Sequence, residues 1–264
     1  INNLAKLALE AGTLGAAYDA DGVPWVYNQW TSMLAQDGAR SASKASSRAE
    51  VHVLVQYYES SDAEHQGELR SVLTSHAQNP DIDKVHVFVE ENYELNSMFN
   101  FRGVFLNMSK VTRVVVGKRL TFQTAFAYAN QYLPSGSVAV LANSDIGFDD
   151  TIAHASKIAE NVVYAMLRWE FSNPDGTARL EPRVDSQDVW IFQTPLRMDL
   201  DGLDFYLGQP RCDNRLAAAF VEQGLKVENP AFRIRTYHHQ KNTNRAYTND
   251  DHVPGAIKMV KLTI

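Results

Sequence analysis

From residue 51 onward the apolar positions fall alternately into short runs and into helical spacing. VHVLVQYY (51–58), VHVFVEE (85–91), TRVVVG (112–117) and VAVLANSD (138–145) are runs rich in β-branched and aromatic residues, which predicts four strands. Between them, residues 62–77 carry Leu69, Val72, Leu73 and His76 at helical intervals, and residues 120–133 carry Phe122, Ala125, Phe126, Ala129 and Leu133. Pro134-Ser135-Gly136 ends the second of these helices. Strands that alternate with helices predict βαβ units. The expected fold is therefore α/β: a Rossmann-like, mostly parallel central sheet flanked by helices.

Past Asp145 the rhythm loosens. Asp149-Asp150-Thr151 can cap a helix over 151–160, NVVYAMLRWEF (161–171) and DVWIF (188–192) read as strands, and NPDG (173–176) as a turn. DNRLAAAFVEQG (213–224) predicts a short helix stopped by Gly224, and AFRIRTYHH (231–239) a last strand. Ahead of residue 50 the pattern is weak. Residues 1–12 fit a short amphipathic helix, 24–34 are aromatic-rich, and 39–50 are small and polar, as in a linker. This divides the chain into an N-terminal helical and linker segment, 1–49, and one domain, 50–264.

Composition narrows the partners. The net charge is −6 and no basic stripe is visible, which argues against nucleic acid. One cysteine, Cys212, permits no intrachain disulfide and no CxxC zinc site, and fits a reducing, cytoplasmic setting. No apolar run reaches the roughly 20 residues of a membrane span. The missing initiator Met fits a domain excised from a longer protein.

The candidate chemistry lies at strand ends and in one loop. LANSDIGFDD (141–150) puts Asp145 at the tip of an apolar strand, where a carboxylate can hold Mg²⁺ or Mn²⁺ against phosphate; Asn, Ser and Asp are equally good turn formers. Asn143 and Ser144 can hydrogen-bond a ribose or metal-bound water. YLGQPRCDNRLAAAF (206–220) is a loop shaped by Gly208 and Pro210 that runs into a helix. Asp213 in its first turn is either a helix cap or a carboxylate kept ionised by the helix dipole and able to accept a proton. In TYHHQ (236–240) the adjacent His238 and His239 face opposite sides of a strand, so only one can serve a given site. Asp188 opens the strand DVWIF, where Trp190 offers either core packing or a sugar-stacking face. Arg168 can neutralise phosphate or pair with Glu170 or Asp188. Lys118 and Arg119 are either a solvated pair or a diphosphate contact.

The order of these features resembles the GT-A glycosyltransferases, which use nucleotide-sugar donors. VLANSDIGF is similar to that family's Asp-x-Asp motif, with Asn143 in the first Asp place and Asp145 in the last. Leu207-Gly208-Gln209 resembles its glycine loop, and Cys212-Asp213-Asn214 its acidic motif with the first acid replaced. The likeness spans about residues 50–240. It implies Asp145 as a direct ligand of Mn²⁺ or Mg²⁺ and a late metal-binding histidine, His238 or His239, with His238 preferred. It implies Asp213 as base in an inverting reaction, with Asp188 as the second acid on the acceptor side beside Trp190 and Trp169. Gln56, Tyr57 and Glu90 would lie near the base and ribose, and Arg119 near the diphosphate. The expected reaction moves a hexose or pentose from a UDP- or GDP-sugar to a glycan or other hydroxyl. Asp145, Asp213 and one imidazole are then expected to converge around one cation. Two alternatives stand beside this reading. One is a degenerate, non-catalytic nucleotide- or glycan-binding domain. The other is a sugar-phosphate nucleotidyltransferase, which QYYESSDAEHQG disfavours because it offers no glycine-rich loop after the first strand.

Overall fold

A computed structural model describes residues 48–99, 108–171, 177–239 and 251–263. The helix expected over 1–12, the aromatic stretch 24–34, nearly all of the linker 39–50 and the NPDG turn lie outside the described residues.

The central sheet has seven strands. They are β1 (Val51–Tyr57), β2 (Lys84–Val89), β3 (Val111–Val115), β4 (Val138–Ala142), β6 (Val162–Met166), β9 (Val189–Gln193) and β10 (Lys226–Glu228), in the spatial order β10-β6-β9-β4-β1-β2-β3. Every pairing is parallel except those of β9, which runs against β4 and β6. A second, four-stranded sheet has the order β5-β11-β7-β8, built from β5 (Ile146–Phe148), β7 (Trp169–Glu170), β8 (Arg179–Leu180) and β11 (Thr236–His238).

The central strands are apolar on both sides because both faces are covered. Val53, Val55, Val87, Val140 and Ile191 face one core, packed with Leu69 and Leu73 of α1 (Ala63–Gln78) and with Ile146 and Phe148 of the small sheet. Leu54, Phe88, Leu141 and Phe192 face the other, packed with Phe122 and Phe126 of α2 (Phe122–Tyr132) and Leu216 and Phe220 of α3 (Cys212–Glu222). Asp62 caps α1 by accepting from the backbone N–H groups of Glu64 and His65, and Thr121 caps α2 through Thr124 N–H.

Several expectations are revised at element scale. The run 161–171 divides into β6 and β7, because the chain leaves the central sheet at Leu167 and re-pairs in the small one. The helix expected over 151–160 is a 3₁₀ helix, Asp150–Lys157, capped by Asp149. Only Thr236–His238 of the stretch 231–239 is strand. Among the described residues, no helix is long and apolar enough to cross a membrane.

The topology marks one place for a ligand. From β1 the chain builds outward through β2 and β3, then returns through α2 to place β4 on the other side of β1. Strand order therefore reverses between β1 and β4. Ligands of open α/β sheets sit outside the carboxyl ends of the strands at such a reversal.

Candidate active site

A cavity of about 620 Å³ opens at that reversal. Its walls come from the ends of β1 (Gln56, Tyr58), β2 (Glu90) and β4 (Asn143, Ser144, Asp145) and from the loop holding Gly208. Gln56 joins two walls: its amide donates to Glu90 Oε1 at 2.9 Å and its Oε1 accepts from Leu120 N–H at 3.3 Å. Ser144 Oγ donates to the Gln56 carbonyl at 2.8 Å, which ties the β4 tip to β1. Arg119 lies over the Tyr206 ring at 5.2 Å, and its Nη2 donates to the Leu207 carbonyl at 2.5 Å. Gly208 adopts φ +71, a left-handed conformation suited to glycine, and a side chain there would approach Arg119 Nη2 at 3.5 Å.

The small sheet carries an imidazole to the cavity edge. β11 pairs with β5 so that His238 lies opposite Ile146, one residue after Asp145. His238 Nε2 comes to 3.3 Å from Asp145 Oδ2. On the other flank β7 pairs with β11 in parallel register, setting Glu170 opposite His238, and His238 Nδ1 meets Glu170 Oε2 at 2.9 Å. Burial pulls the imidazole down in pKa, but the hydrogen bonds to Asp145 and Glu170 outweigh it and hold it at about 9. Burial likewise works to raise Asp145, and the His238 contact prevails, leaving that carboxyl below its usual range.

Two further acids flank this pair. Asp188 accepts from Arg168 Nη1 at 3.2 Å on each oxygen and from the Asn143 amide at 3.0 Å. Arg168 also donates from Nε to Glu170 Oε1 at 2.6 Å. Asp213, in the first turn of α3, accepts from Gln187 N–H at 3.0 Å and Asn214 N–H at 2.9 Å. Burial pushes its carboxyl up to about 6 against the pull of those two backbone donors. Arg211, two residues earlier, has φ +67, an uncommon conformation for a residue with a side chain, and sets the angle at which α3 begins.

The residues singled out in the sequence are thus distributed unevenly. Gln56, Glu90, Arg119, Asn143, Ser144, Asp145 and Gly208 line one cavity, and His238 stands against Asp145. Asp213 does not line the cavity; it is held by the segment that leads into Asp188. Tyr57 does not line it either: strand alternation turns its ring into the core on the α1 side, where its hydroxyl accepts from Gln66, and Tyr58 takes the cavity wall. His239, next along the strand, packs its half-buried ring against Gly147 and is pulled down by desolvation to about 3. Asp188 is gripped by Arg168 rather than open to an acceptor. Trp190 is buried against Phe122 and Phe220, so it is core and not a sugar platform. Lys118 points to Asp204, 3.9 Å away. Tyr58 lines the cavity and Glu170 contacts His238, and neither was a candidate site residue from the motifs; Glu170 entered only as a possible partner of Arg168.

No family model matches the chain, and no curated protein matches it. Among solved structures it is similar to GalNAc-T7 with UDP, GalNAc and Mn²⁺, at a TM-score of 0.48 and 9% identity, covering 75% of this chain and 45% of that one. It is similar to the mannosyltransferase PcManGT from Pyrobaculum calidifontis in complex with GDP-Man and Mn²⁺, at 0.46 and 15%, covering 91% and 70%. It is also similar to TarS from S. aureus in complex with UDP-GlcNAc, at 0.47 and 12%, covering 75% and 62%. The chain thus spans less than half the length of the GalNAc-T7 chain.

Proposed function

We propose that the protein is a metal-dependent glycosyltransferase that moves a sugar from a UDP- or GDP-sugar to a hydroxyl of a glycan or other acceptor. The observation that carries this reading is Asp145. It sits at the tip of β4, at the reversal of strand order, with His238 against one oxygen and the cavity before it. Its other oxygen, Oδ1, is shielded from solvent and has no hydrogen-bond partner among the described residues.

The electrostatics favour a cation. Among the described lining residues Glu59, Glu90 and Asp145 face one cation, Arg119. A diphosphate entering this cavity meets more negative charge than positive, unless a divalent ion stands between. The donor set suits Mn²⁺ or Mg²⁺. No three-residue cage of His, Cys, Asp and Glu exists among the described residues, but such ions are commonly held by one or two protein groups plus substrate phosphates and water. Asp145 would be one of those groups, and His238 the other once the ion displaces the proton that the ring keeps on Nε2 at neutral pH. When bound, the ion offsets the charge that develops on the departing nucleoside diphosphate.

The chain's own residues supply the rest. Gln56 and Glu90 present an amide and a carboxylate to the base and ribose, and Asn143 and Ser144 line the path between ribose and diphosphate. Arg119, the one cation among the described lining residues, meets the diphosphate, and Gly208 admits the donor close to the backbone. Asp213 lies five residues past Gly208 and outside that cavity, and we assign it to the acceptor. In the inverting form of the reaction Asp213 takes the proton of the acceptor hydroxyl. The oxygen forms its bond to the anomeric carbon as the bond to the diphosphate breaks.

The test is a screen of nucleotide-sugar hydrolysis with and without Mn²⁺. We expect release of UDP or GDP that requires the metal and is abolished in a folded Asp145→Ala variant. Turnover unchanged in that variant would move the site elsewhere. A non-catalytic donor-binding domain is the second reading, favoured by Asn143, whose amide is committed to Asp188 where the related motif has a carboxylate. Metal-dependent nucleotide binding with no hydrolysis and no transfer would select it.

A further inference from the structure

We propose that Glu170 is a positioning residue that holds the His238 ring so that Nε2 faces Asp145; this rests on the cation site proposed above. Pairing of β7 with β11 sets the two residues side by side on one face of the small sheet. Glu170 divides its carboxylate between two partners. Oε1 accepts from Arg168 Nε at 2.6 Å, and Oε2 meets His238 Nδ1 at 2.9 Å. An arginine can satisfy a carboxylate by itself, bidentately. Here it takes one oxygen of Glu170 and leaves the other for the imidazole.

Arg168 in turn is fixed by Asp188, and Asp188 by the Asn143 amide. The contacts form a closed circuit: Asn143, Asp188, Arg168, Glu170, His238 and Asp145. It begins and ends in one turn, so any shift of the β4 tip is resisted from both sides. The members are mostly shielded from solvent, which keeps their interactions from being screened. A carboxylate on the far nitrogen of an imidazole orients the ring and commits the near nitrogen to the ligand. Arg168 is the anchor of this arrangement, and Glu170 makes the contact that aims the ring.

Two measurements on the full chain test this. The first is the crystal structure of metal-free Glu170→Ala beside wild type. The second is Mn²⁺ affinity by electron paramagnetic resonance for wild type, Glu170→Ala and Glu170→Gln. In Glu170→Ala we expect the His238 ring to rotate off Asp145 and Mn²⁺ affinity to fall about 10–100-fold. Glu170→Gln keeps an oxygen that can accept from Nδ1, so it should restore most of that loss. An unmoved ring in Glu170→Ala, or equal affinity loss in both variants, overturns the proposal. A ring that moves in a protein whose wild type takes up no Mn²⁺ supports the positioning role and overturns the cation reading instead.

Discussion

Asp213 owes its chemical character to two opposed forces. Burial favours the protonated acid, while two backbone N–H groups favour the anion, and burial prevails by enough to place the carboxyl at about 6. A carboxylate there is mostly ionised at neutral pH yet more basic than a surface aspartate. If it takes the acceptor proton, kcat/KM should rise about tenfold per pH unit below 6 and level off above it, because only the deprotonated form accepts. Asp213→Asn should lower kcat by roughly 10²–10⁴ and abolish that acid limb, with donor KM little changed. An unaltered pH profile in the variant would remove Asp213 from the reaction. Cys212 beside it takes no such part, since burial pushes its thiol up to about 12. At this scale the sequence was informative about residue type and weak about direction. The tip residues Asn143, Ser144 and Asp145 were legible because an apolar run ended in polar groups. Tyr57 and Tyr58 were not separable, because a one-residue difference in phase decides which side chain faces the cavity. Asp188 was legible as an acid opening an apolar strand and as one of two acids that Arg168 could pair with; that Arg168 holds both Asp188 and Glu170 at once was not, because the three meet only when β7 and β9 are folded.

Among the elements, β4 does the most to place the site. Leu141 is fully buried in the α2 and α3 core, while the residues two to four further on line the cavity. Leu141→Ala should cost about 2–5 kcal/mol by chemical denaturation, through transfer and cavity terms. Because the contacts of Asn143, Ser144 and Asp145 lie on the turn and not in that core, the residual folded protein should keep its donor KM. A large rise in KM with little loss of stability would show instead that the strand end, and not the turn contacts, aims Asp145. The central strands were readable because burial on both faces leaves long apolar runs. The small sheet was not. Its strands are two or three residues long, and its decisive contact, Glu170 with His238, joins positions 68 apart. β10 has two charged residues among three at a sheet edge and carries no strand signature.

The whole molecule combines a sheet whose strand order reverses at β1 and β4 with a small sheet that brings His238 to that reversal. Of Asp145, Asp213 and one imidazole, expected to converge around one cation, Asp145 and His238 lie in contact at 3.3 Å. Asp213 is a step removed, tied through Gln187 to the segment of Asp188. In the cavity carboxylates outnumber Arg119 among the described lining residues, so under the proposed function nucleotide and metal should need one another. The most direct measurement is the melting temperature of the protein with Mn²⁺, with UDP or GDP, and with metal and nucleotide together. One nucleoside diphosphate together with Mn²⁺ should raise it by more than the two separate shifts added, and Asp145→Ala should lose the excess. No shift with any combination at millimolar concentration, or an excess that survives Asp145→Ala, would contradict a metal-bridged donor site at the tip of β4.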